Sequence, residues 1–73
     1  MDAAALDRWT ADLAPGDPCS VWWSGKAWEA KMYRPDDHSP TVLLHLGASL
    51  VMPMVVRWDD VMPPGHVWEP ADG

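Results

Sequence analysis

From Cys19 onward the chain runs in short apolar segments of period two, each closed by turn-forming residues. That punctuation confines it to hydrogen-bonded strands joined by short turns. Cys19–Trp23 is apolar with a single Ser, Ser24-Gly25-Lys26 is a tight connection, and Ala27–Arg34 alternates. In the alternating run Trp28, Ala30 and Met32 share one face, and Glu29, Lys31 and Tyr33 share the other. Pro35 to Pro40 is a polar turn bracketed by prolines. Thr41–Leu46 and Leu50–Val56 follow, joined through Gly47-Ala48-Ser49. A last piece around His66–Trp68 is placed to pair back after Pro63-Pro64-Gly65. Strands of this length and spacing predict a mainly β fold, a small all-β barrel.

The segment before the strands has a different period. Leu6, Trp9 and Leu13 form one helical stripe, Asp2 is placed to cap it, and Pro15-Gly16 end it. Asp7, Arg8 and Asp12 fall off the stripe and face water. A helix this short is marginal alone, so its stripe has to dock. The whole chain has 73 residues and forms one domain with little room for a core. Six Trp supply the density such a core needs.

The third and fourth runs are apolar on both faces. Val42, Leu44 and Leu46 oppose Leu43 and His45, and Leu50, Met52, Met54 and Val56 oppose Val51, Pro53 and Val55. A small barrel has one interior, so the second face needs a cover, either the N-terminal helix or a partner protein. Leu43, Val51, Met52, Met54 and Val55 are the candidate partner interface. Pro53 donates no ladder hydrogen bond, which assigns its strand to an edge or a bulge.

Eleven acidic against five basic side chains leave a net charge of -6. This argues against nucleic acid, which is held through its phosphates by clustered Lys and Arg, and favours a basic or uncharged partner. No apolar run approaches the roughly 20 residues that span a bilayer, so no membrane partner is expected. The acidic N-terminus is unlike a secretory or transit signal. Cys19 is the single cysteine, which excludes an intramolecular disulfide.

Cys19, His38, His45 and His66 contain no closely spaced chelating pair, so they read as a small buried hydrophobe and ordinary loop or strand residues, and no metal or other cofactor is expected. Nothing marks Cys19 as an activated thiolate for His45 to serve. Asp36-Asp37 and Asp59-Asp60 are adjacent carboxylates, which point apart on a strand and read as turn and helix-opening residues. The tryptophans carry more. Trp23 and Trp28 flank the first tight turn, and two indoles side by side make two walls of a cage that attracts a methylammonium through its ring quadrupoles.

Four segments in order carry a family resemblance: Leu13-Ala14-Pro15-Gly16-Asp17-Pro18-Cys19-Ser20-Val21-Trp22-Trp23, Trp28-Glu29-Ala30-Lys31-Met32, Val42-Leu43-Leu44-His45-Leu46-Gly47 and Val55-Val56-Arg57-Trp58-Asp59-Asp60-Val61-Met62-Pro63. Together they resemble a Tudor domain of the Royal family. The closing segment is similar to that of Polycomb-like proteins, and the opening to that of the survival of motor neuron protein. The resemblance implies a five-stranded SH3-like barrel over residues 15–68, with the helix over 1–14 before it and a flexible tail over 69–73.

It also implies a non-catalytic chromatin module, nuclear and therefore intracellular, that reads a basic peptide such as a histone tail bearing methylated lysine or arginine. Carried over by position, Trp23 and Trp28 are the first two cage aromatics and His45 falls near the third. The loop that supplies the family's cage acid reads Leu46-Gly47-Ala48-Ser49-Leu50 here, with neither acid nor aromatic. The alternative is therefore a Tudor-like scaffold with a degenerate cage, which docks in a larger complex or forms a homodimer through its apolar outer face.

Overall fold

A computed structural model describes residues 2–68. The tail expected over 69–73 lies outside the described residues. Helix α1 spans Ala3–Asp12, with the Asp2 carboxylate accepting from the Ala5 backbone N–H at 2.7 Å as its N-cap. Strands follow at Pro18–Trp23 (β1), Lys26–Arg34 (β2), Thr41–His45 (β3) and Val51–Val55 (β4). A 3-10 turn at Trp58–Asp60 leads into the short strand Val61–Met62 (β5). All pairings are antiparallel, and the five strands form one open sheet in the order β4-β3-β2-β1-β5. The protein is thus mainly β with one N-terminal helix.

The register sorts side chains between two faces. Cys19 pairs with Ala30, Val21 with Trp28 and Val61, Ala30 with Leu44, and Met32 with Val42. These residues face inward, where Val21, Met32, Val42 and Leu44 are buried completely or nearly so. Leu13 brings α1 onto this inner side, and Trp9 and Trp58 pack against the same cluster. The loop before β1 is stitched to β2, with the Gly16 N–H donating to the Met32 carbonyl at 2.7 Å and the Met32 N–H to the Asp17 carbonyl at 2.9 Å.

Three expectations need correction. The fifth strand is not His66–Trp68 but Val61–Met62, because Val61 plugs the core opposite Val21 while Pro63 and Pro64 lack the N–H that would extend the ladder. The helix does not cover the outer face of the third and fourth strands, because Trp9 and Leu13 of its stripe pack on the inner core. Met52 and Met54 do not belong to the outer face, since they pair with Leu44 and Val42 and pack half-buried against the core. Leu43, Val51 and Val55 do lie outward, beside Pro53 on edge strand β4.

Candidate ligand-binding site

The β1–β2 hairpin builds the site. Trp23 pairs with Lys26, so the loop between them is Ser24-Gly25 alone. Ser24 at φ 53° and Gly25 at φ 79° both occupy the left-handed region, as the primed turns that suit strand twist require. Gly25 adopts this freely, whereas Ser24 does so at a steric cost. The turn sets the register, and the register puts Trp23, Lys26 and Trp28 on one face at one end of the sheet.

The two indoles lie 5.5 Å apart between ring centroids and are tilted by 53°. The Trp28 Nε1–H donates to the Trp23 backbone carbonyl at 2.8 Å, which fixes the ring it belongs to. Trp23 is 39% exposed, so its ring remains open to a guest. The Lys26 Nζ stands 4.0 Å from the Trp28 ring centroid, well inside cation–π range. The indole face thus already carries an ammonium, and it is the chain's own.

His45 points to the opposite face of the sheet from the two tryptophans, although it lines one hollow with Trp28. It lies opposite Val51 on the outer face, one position beyond the inward Leu44. Strand side chains alternate, so its neighbour Leu46 turns inward and packs against the core, as Trp28 does. His45 borders a hollow of about 510 Å³ that Trp28 also lines, together with Ser20, Glu29, Lys31 and His66. Trp68 closes the outer side of β1, with its Nε1–H donating to Ser20 Oγ at 3.0 Å and its ring 5.6 Å from that of Trp22.

The remaining candidates sort plainly. Cys19 is 3% exposed, and burial pushes its thiol up from an ordinary 9.0 to about 11, away from thiolate chemistry. It faces inward while His45 faces outward, so the two form no nucleophile pair. The Asp36 carboxylate accepts from the backbone N–H of His38 at 3.0 Å and of Ser39 at 3.5 Å, and these bonds lower its pKa. It closes its own turn, as the sequence predicts. Asp59 and Asp60 lie in the 3-10 turn. Among the described residues no three His, Cys, Asp or Glu converge as a metal site, and no helix is long and apolar enough to cross a membrane.

Charge is segregated. From His38 to Val56 the chain carries no Asp, Glu, Lys or Arg, so β3 and β4 are uncharged. Helix α1 and the loop before β1 bring Asp12 and Asp17 beside Pro18, at the start of β1. Asp36 and Asp37 lie against the same helix. Trp23 stands at the other end of β1, about 17 Å away at roughly 3.3 Å per residue. Neither Trp23–Trp28 nor Leu46–Leu50 contains an acid, and Glu29, which follows Trp28, alternates to the opposite face of the strand.

Sequence reasoning finds the two tryptophans and misses Lys26 and Leu46. Both were legible in the period-two rule, which puts Lys26 on the face of Trp28 and Leu46 on the face of Leu44. The chain matches no family model, and no curated protein or solved structure is similar enough to match.

Proposed function

We propose that the chain is a non-catalytic, Tudor-like interaction module with an SH3-like barrel, which holds the methylated side chain of a basic peptide on Trp23 and Trp28. One observation carries this reading: two tilted indoles 5.5 Å apart, one of which already holds an ammonium. The five-stranded sheet, whose last strand returns to β1, supports the barrel topology. A histone tail bearing trimethyl-lysine or dimethyl-arginine is the peptide class, and the nucleus the compartment. The test titrates methylated and unmodified histone peptides, followed by Trp fluorescence and NMR. Methylated peptides bind the wild type in the millimolar range or tighter, and Trp28→Ala abolishes binding. No binding of any methylated peptide at millimolar concentration refutes the reading.

A second reading is favoured by the outer face of β3 and β4. Leu43, Val51, Pro53 and Val55 meet there without a charge among them, and Val51 and Val55 are 46% and 66% exposed. The occupant is a second copy of the chain. Two molecules of net charge -6 repel wherever acids meet, and this face brings none together. Sedimentation then finds a dimer, which Val55→Asp converts to a folded monomer. A wild type that stays monomeric at high concentration rules this face out as a dimer interface.

A further inference from the structure

We propose that Lys26 is a built-in competitor for the Trp23–Trp28 site and raises the threshold for every cationic guest by the same factor. This rests on the reading of the tryptophan pair as a cation site. The Ser24-Gly25 turn pairs Lys26 with Trp23 and leaves it two positions from Trp28 on the same face. Its Nζ then comes to 4.0 Å from the Trp28 centroid.

A tethered ammonium acts at a high effective concentration and needs no partner molecule. Glu29, the nearest acid in the chain, alternates to the opposite face, and among the described residues Lys26 forms no salt bridge that would draw it off the ring. The site therefore exchanges between closed, with Lys26 on Trp28, and open. A guest binds the open form only, so its apparent Kd is the intrinsic value divided by the open fraction. That fraction belongs to the protein. It weakens tetramethylammonium and trimethyl-lysine equally and leaves the ratio between guests unchanged. Lys26 sets how strong a ligand must be, whereas the tryptophans set which ligand it is.

The experiment compares wild type, Lys26→Met and Lys26→Arg. Met keeps the length and apolar stem without the charge, and Arg keeps the cation. Tetramethylammonium chloride and a trimethyl-lysine peptide are the probes, with Trp indole N–H resonances as the readout. Lys26→Met tightens both by about three- to sixfold, the range expected for an exposed cation–π closure. Lys26→Arg stays close to wild type.

A second measurement needs no guest. The Lys26 ε-methylene protons are shifted upfield by the Trp28 ring, and Trp28→Ala removes the shift. If that shift is missing, Lys26 does not close the site and the inference falls, whatever binds. If guests bind wild type and Lys26→Met equally, or by different factors for the two probes, the inference falls while the cation site stands. If neither protein binds either probe, the cation site itself is wrong and the inference falls with it.

Discussion

Leu46 and His45 differ by one position and face opposite sides of the sheet, so the same change has different consequences at each. Leu46→Tyr places a third aromatic on the side of Trp28 and tightens a trimethyl-lysine peptide by roughly 0.5–1 kcal/mol, about two- to fivefold. His45→Tyr leaves that affinity unchanged, which the same titration shows. The resemblance assigns His45 to the cage by chain position, and a slip of one residue on a strand reverses the face. Trp23 and Trp28 were legible because they flank a tight turn, whose register pairs Trp23 with Lys26 and leaves Trp28 two positions on, on the same face.

Cys19 supports a pH prediction. Its folded pKa of about 11 lies above the ordinary 9.0, so the folded chain holds the proton that the unfolded chain gives up in between. The stabilisation is complete below pH 9.0 and is lost as pH rises toward about 11. Thermal unfolding across that interval shows a falling Tm for wild type and a smaller fall for Cys19→Ala.

At the scale of elements, the hairpin turn and the 3-10 turn do different work. Ser24 sits at φ 53°, which costs an L-residue other than Asn, Asp or Gly a strain on the order of 1 kcal/mol. Ser24→Asn relieves part of it and stabilises the fold by about 0.5 kcal/mol, read as a higher denaturant midpoint. Trp58 is half-buried in the 3-10 turn, and its Nε1–H donates to the Asp36 backbone carbonyl, tying the β2–β3 loop to the approach to β5. Trp58→Ala loses that bond and a packed ring, about 2–3 kcal/mol of stability by chemical denaturation. Its hairpin is untouched, so cation binding survives.

Most elements were visible in the sequence for reasons the structure repeats. Asp2 caps the helix, period two marks the first four strands, and Pro53 fits only an edge. The fifth strand was not visible, because Val61–Met62 is too short to show a period and is enclosed by Asp60 and Pro63. Its place comes from a tertiary event, the insertion of Val61 opposite Val21.

Over the whole molecule, the net charge of -6 is misleading about the site. Asp12 and Asp17 stand beside Pro18, with Trp23 about 17 Å away and Trp28, opposite Val21, about 10 Å away at roughly 3.3 Å per residue, both beyond the Debye length of about 8 Å at physiological salt. These two acids therefore steer a basic peptide only in dilute buffer, where the Debye length reaches about 30 Å. Self-association through β3 and β4 responds in the opposite sense. That face is uncharged, but the two molecules it joins repel through acids elsewhere, and screening removes the repulsion. Raising salt from about 0.01 M toward 1 M shortens the Debye length to about 3 Å. Peptide affinity then falls and levels off near physiological salt, while the dimer constant keeps rising because the apolar contact strengthens as well. Titration and sedimentation over one salt series measure both. Peptide affinity that keeps falling above physiological salt would assign the guest a contact with Glu29, the acid next to Trp28 in the chain, which strand alternation turns to the other face.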